Sequence, residues 1–263
     1  MPTLSATTTT QVTLVDTSRP LVDQGATLAE SRSLPTTIIA PTGSGRYPLV
    51  VFVHGYEVGP TFYARYLRML AAHGYVVAAP SFPLEDPADG HPLTETDLPN
   101  EAGDVAFVVT TLTSGPWAAH LAQGQVAVVG HSDGADVALL AGYSQAHADP
   151  QVRAVIADAP DPMTTPTIAG GPPLELVHGS ADQIVDPSAS ATVMTQVAAE
   201  RWSVTLAGAD HASPIHGPSP WTASFDAATL DFLDAVLTRH ETSSLTATLS
   251  ALPGVSVVAA PGP

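Results

Sequence analysis

The sequence predicts an α/β fold, with a mostly parallel central sheet of about eight strands, helices on both faces and no cap domain. Three observations carry this expectation. Short apolar runs rich in β-branched residues alternate with segments whose apolar residues recur at helical spacing. The pentapeptide Gly130-His131-Ser132-Asp133-Gly134 stands between the apolar run Gln125-Val126-Ala127-Val128-Val129 and the helix-forming Ala135-Asp136-Val137-Ala138-Leu139-Leu140. Three strand-to-loop junctions carry, in chain order, a serine, an aspartate and a histidine.

Taken in order, residues 1–10, with four consecutive threonines, read as a disordered lead-in to a single domain over 11–263. Residues 11–15 and 34–40 are the opening strands, the second rich in β-branched side chains. Tyr47-Pro48-Leu49-Val50-Val51-Phe52-Val53 is the next strand and runs into His54-Gly55-Tyr56. Over 61–73, Phe62, Tyr63, Tyr66, Leu67 and Leu70 keep helical spacing, and Gly74 reads as the C-cap. Residues 75–79 form a strand, and 81–100, rich in Pro, Asp and Gly, a long loop at the carboxyl edge where ligands bind in such sheets. A helix is expected over 100–112. Beyond the pentapeptide come a strand over 152–157 and the strand Leu174-Glu175-Leu176-Val177-His178-Gly179, then a helix over 189–200, a strand over 202–206 and a helix over 224–239. The irregular stretch between residues 158 and 173 is too short for a cap, which predicts an open site. The tail over 243–263 reads as a short helix and one extended segment packed on the body.

Composition narrows the function classes. The eight basic residues are all arginine against 25 acidic ones, a formal charge of −17, which disfavours nucleic acid, anionic lipid surfaces and polyanionic substrates. No apolar run approaches the roughly 18 residues of a membrane span. There is no cysteine, so disulfide and thiol chemistry are excluded. His211 and His216 lack metal-ligand spacing and no His-Glu-x-x-His occurs, so neither a metal nor another cofactor is expected. The N-terminus has no basic and apolar leader pattern, which suits a cytoplasmic protein or a mature secreted form equally. A monomer acting on a small or polymeric ester is expected.

The chemistry lies in the loops. A serine hydroxyl is a weak nucleophile at neutral pH and needs a base, which needs an orienting acid. In Gly-x-Ser-x-Gly between strand and helix, the turn strains the serine backbone and lifts its hydroxyl to the sheet edge, and the flanking glycines avoid collisions. Ser132 is therefore assigned as nucleophile, His211 as general base and acid, and Asp182 as the acid that orients it. Asp186 competes for the last role, but Pro187 after it looks like a helix start. The oxyanion needs two backbone N–H donors, one from the residue after the nucleophile and one from the loop after an earlier strand. These are Asp133 and Tyr56.

The stretches 48–80, 126–140, 174–187 and 206–214 resemble the α/β-hydrolase superfamily, near its dienelactone-hydrolase-like, platelet-activating-factor-acetylhydrolase-like and chlorophyllase-like esterases. The resemblance covers residues 34–240, and the position of Asp182 three residues past Gly179 matches it. Dienelactone hydrolases use a cysteine nucleophile, which this chain lacks. Gly55-Tyr56 also resembles bacterial cutinases and polyester hydrolases, although those usually carry Met where this chain has Asp133. The resemblance implies a serine carboxylesterase. The alternatives are a cutinase-like polyesterase, amide, thioester or peroxide chemistry on the same triad, and a non-catalytic binding module of the same fold.

Overall fold

Eleven strands and seven α-helices are assigned in the computed structural model, which describes residues 4–263. Strand β1 (Thr7–Asp16) pairs antiparallel with β4 (Arg32–Pro41) along its whole length, Thr7 opposite Pro41 and Asp16 opposite Arg32. The disordered lead-in expected over 1–10 is therefore corrected for Thr7 to Thr10, which are strand. Threonine is β-branched and stiff at χ1, which suits a pleated edge, and β4 offers these residues a partner. The Ser5 N–H donates to the Ala72 carbonyl at 2.8 Å. Residues 1–3 of that lead-in lie outside the described residues. The hairpin of β2 (Leu21–Asp23) and β3 (Ala26–Ala29), around Gln24-Gly25 with positive φ at both, was not anticipated from the sequence.

The main sheet has nine strands in the order β1-β4-β6-β5-β7-β8-β9-β10-β11. Its remaining members are β5 (Tyr47–Val53), β6 (Val76–Pro80), β7 (Leu121–His131), β8 (Ala154–Asp158), β9 (Leu174–Gly179), β10 (Arg201–Leu206) and β11 (Val255–Ala260). From β6 to β10 every neighbouring pair is parallel, while the β1–β4, β4–β6 and β10–β11 pairs are antiparallel. Helices cover both faces, which is why β5, β6, β8 and β9 are apolar runs rather than alternating ones. Along β5, Leu49, Val51 and Val53 face one core while Val50 and Phe52 face the other.

The first core is closed by α2 (Leu98–Ser114), α3 (Asp133–Tyr143) and α4 (Ser188–Gln196) through residues such as Val105, Val109, Leu139 and Val193. The second is closed by α1 (Ala64–Ala72), α6 (Thr222–Leu233) and α7 (Leu245–Ser250) through Leu67, Leu70, Phe225, Phe232 and Leu249. The short α5 (Ser213–His216) lies between β10 and α6 in the chain. Arg32 of β4 is buried and bonds Asp97 and Asp104 at 2.6 Å each, which ties α2 to the antiparallel edge. Two helix limits differ from expectation. The helix after β9 stops at Gln196, and the segment over 224–239 divides into α6 and a π-helical turn, Asp234–Arg239. Residues 159–173 form no helix, and their one bridge joins Thr167 to Ser144.

Candidate active site

Ser132 sits between the end of β7 and the start of α3 with φ 58° and ψ −129°, a conformation that costs a non-glycine residue roughly 1–3 kcal/mol. Packing holds it there. A Cβ on Gly130 would overlap the Gly134 carbonyl, and one on Gly134 would overlap the Val53 and His54 carbonyls, so only glycine fits at either position. The Ser132 N–H donates to the Asp158 carbonyl at 2.9 Å, and the Ser132 carbonyl accepts from Ala135 at 2.7 Å.

The loop after β5 packs directly on this corner. A Cβ on Gly55 would lie 3.1 Å from the Ser132 Cβ. Two buried side chains fix the loop. His54 Nε2 accepts from the Phe82 N–H at 3.0 Å, which leaves Nδ1–H to face the Gly55 carbonyl at 3.0 Å. The Gly55 N–H in turn donates to the Tyr63 hydroxyl at 3.1 Å. The Tyr56 N–H donates to no backbone carbonyl among the described residues, and Asp133, the first residue of α3, has no preceding turn to donate into.

On the opposite side, Asp182 and His211 meet. His211 Nδ1 lies 2.7 Å from Asp182 Oδ2, and Asp182 Oδ1 accepts from the Ile184 and Val185 N–H groups at 2.8 and 3.1 Å. Burial pushes the Asp182 carboxyl up, but His211 and the two backbone donors outweigh it and hold the group below its ordinary value. Asp186 instead accepts from the Ser188 N–H at 2.8 Å at the start of α4. Asp210 likewise serves its own loop, accepting from Ala212 and Ser213.

His131 joins the two sides. Its Nε2–H donates to the His211 carbonyl at 2.9 Å, so Nδ1 accepts from the Tyr63 hydroxyl at 3.0 Å, and its ring centroid lies 4.6 Å from that of His211. Burial, then His211, pushes His131 down to about 4, and burial does the same to His54, so both rings are neutral connectors near pH 7. The structure thus brings the Ser132 corner, Tyr56, Asp182 and His211 to one edge. Among the described residues Ser132 Oγ has no hydrogen-bond partner, and the Ser132 segment reaches His211 through His131. The sequence alone gives His131 a packing or hydrogen-bonding role beside a glycine turn and makes Tyr63 one apolar position of a helix. A polar residue next to the nucleophile was the available signal for the first; none marked the tyrosine.

Beside Ser132 opens a cavity of about 700 Å³ lined by Leu98, Leu139 and Met163 together with Asp133, Asp136 and Asp161. Burial, then neighbouring acids, pushes Asp133 up to about 6. Asp136 is raised to about 8, again mainly by burial.

A strained serine corner on a sheet of this order is the mark of the α/β-hydrolase superfamily, and the chain is a hydrolase of that type. Residues 7–173, more than half of the chain, match the chlorophyllase family, and the chain belongs to that family. This bears out the chlorophyllase-like resemblance read from the sequence. The matched segment includes Tyr56, Ser132 and Asp133 and ends before Asp182 and His211. No curated protein matches the chain. No helix is long and apolar enough to cross a membrane among the described residues.

Proposed function

We propose that the protein is a serine carboxylesterase. The observation that carries this reading is the juxtaposition of the strained Ser132 corner with the hydrogen-bonded Asp182–His211 pair through the His131 ring. Ser132 Oγ attacks the ester carbonyl carbon while its proton passes to His211 Nε2, the ring nitrogen that Asp182 leaves free. The oxyanion is bound by the Tyr56 and Asp133 N–H groups. The carbonyl re-forms, the alkoxide departs with the proton from His211, and the acyl group stays on Ser132. Water, deprotonated by His211, then attacks the acyl carbon, releases the carboxylic acid and restores the serine. Asp182 stabilises the imidazolium in both halves.

The substrate reading is a small or exposed ester, including polyester chains, because residues 159–173 carry no helical cap over the edge. The test is hydrolysis of p-nitrophenyl esters from acetate to palmitate by wild type beside Ser132→Ala, with fluorophosphonate labelling of both. Expected are activity that falls with chain length, its abolition in the variant and labelling at Ser132. An unlabelled, inactive and folded wild type would favour the binding-module alternative, and full activity in Ser132→Ala would overturn the assignment.

A further inference from the structure

Glu85, in the loop after β6, touches both segments that carry the proposed oxyanion donors. Its backbone carbonyl accepts from the Glu57 N–H at 3.1 Å, one residue beyond Tyr56. The same loop holds His54 through the Phe82 N–H. The side chain of Glu85 faces the other segment, where its buried carboxyl and that of Asp133 act directly on one another. Glu85 is fully buried, and neither of its carboxyl oxygens has an N–H or hydroxyl donor among the described residues; the same holds for Asp133 Oδ2. Two carboxyl groups can bond only if one carries a proton, because carboxylates are acceptors alone.

We infer that Glu85 is a positioning residue that ties the Tyr56 loop to the Asp133 corner, through its backbone carbonyl on one side and a proton shared with Asp133 on the other. The inference rests on the oxyanion reading above. It also explains an acid directly after the nucleophile: the shared proton keeps the pair at a single negative charge beside the forming oxyanion. The acids that face Glu85 favour retaining that proton, while the one buried cation near them, Arg32, which acts oppositely on Glu101, is bonded by Asp97 and Asp104. Asp133 and Asp136 approach from α3, Glu95 and Asp97 from the segment leading into α2 and Glu101 from its first turn, and the neutral Tyr56 and Tyr63 hydroxyls lie on the β5 side. Burial first, then Asp133, pushes Glu85 up to about 9. Above that pH two carboxylates face each other in a poorly solvated site and push the two donor segments apart.

The test is kcat and KM for a short p-nitrophenyl ester between about pH 6 and 10 in wild type, Glu85→Ala and Glu85→Gln, because the predicted proton loss lies near pH 9. Glu85→Ala is expected to lower kcat at neutral pH by about 10- to 100-fold with little change in KM, less than the loss of a whole oxyanion donor. Glu85→Gln, whose amide N–H replaces the acid O–H, is expected to recover most of that loss and to lack the wild-type fall in kcat above about pH 9. An unchanged alkaline limb in Glu85→Gln, or full kcat in folded Glu85→Ala, would overturn the inference. A second measurement is independent of esterase activity. In wild-type minus Glu85→Gln infrared spectra, a carboxylic-acid carbonyl band should persist well above the ordinary carboxyl range. Its absence would overturn the shared proton even in an inactive protein, while its presence in a protein unlabelled at Ser132 would sink only the esterase reading.

Discussion

Asp182 and Glu85 are both acids with buried carboxyl groups near the carboxyl edge of the sheet, yet their proton affinities move in opposite directions. Asp182 meets two backbone N–H groups and two histidines, His211 at 2.7 Å and His178 at 3.3 Å, and it stays below its ordinary range. Glu85 meets other acids and no N–H donor, and burial raises it to about 9. Burial is the first influence on both, so the difference lies in what each side chain faces. Hydrogen-bond donors turn one carboxyl into a permanent negative partner for an imidazole; their absence turns the other into a store for a proton. On the proposed mechanism, one edge of a single sheet then carries a base-orienting side and a charge-limiting side.

The hardest test of this contrast is to neutralise the charged member. Asp182→Asn removes the charge that balances the imidazolium and alters the acceptor on His211 Nδ1. It is expected to lower kcat about 10⁴-fold with the fold retained, as such substitutions do in serine triads. Steady-state kinetics with circular dichroism checks this, and a loss below tenfold would show that Asp182 is not the orienting acid.

The stored protons should also be visible in stability. A buried carboxyl raised in the fold contributes stability that is complete below its unfolded value and is lost as pH rises to its folded value. Glu85 at about 9 and Asp136 at about 8 place this loss between about pH 4 and 9, and Glu101, Asp158 and Glu175 are shifted in the same direction. His54 and His131, lowered to about 4, act oppositely, and their stability is lost as pH falls below about 6.5. The melting temperature is therefore expected to peak in mildly acidic buffer and decline toward pH 9. Glu85→Gln should flatten the alkaline decline, and a melting temperature that rose steadily from pH 6 to 9 would contradict the raised carboxyls.

A smaller effect concerns substrate charge. With Asp133, Asp136 and Asp161 lining the cavity, a p-nitrophenyl hemisuccinate should show a higher KM than the butyrate, and Asp161→Asn should narrow the gap. Equal KM values in wild type would place the acyl group elsewhere. The smallest change separates Asp182 from Asp186, its weaker competitor in the sequence. Asp186→Ala should leave kcat unchanged and lower the melting temperature slightly, since the Asp186 carboxylate accepts from the Ser188 N–H at the start of α4.

The strand-turn-helix corner at Ser132 and the order of the Asp182 and His211 loops were legible because local chemistry dictates them. Only glycine tolerates the contacts at 130 and 134, and an apolar run followed by a glycine turn announces a strand end. The strand of Thr7 to Thr10 was missed for the opposite reason. Four threonines carry no alternation, and only pairing with β4 makes them a strand. The connecting roles of His131, Tyr63 and Glu85 were not legible because each acts across long sequence separations, His131 on Tyr63 and His211 and Glu85 on Glu57 and Asp133. The sequence by itself determined the superfamily, the parallel core and which side chains end its strands, since periodicity and turn chemistry are local properties. The tertiary structure supplied the contact of Asp182, which the sequence reading preferred to Asp186, with His211 Nδ1, and it decided which carboxyls are buried away from any N–H or hydroxyl donor. Those outcomes depend on donors brought together from distant segments, and no window along the chain contains them.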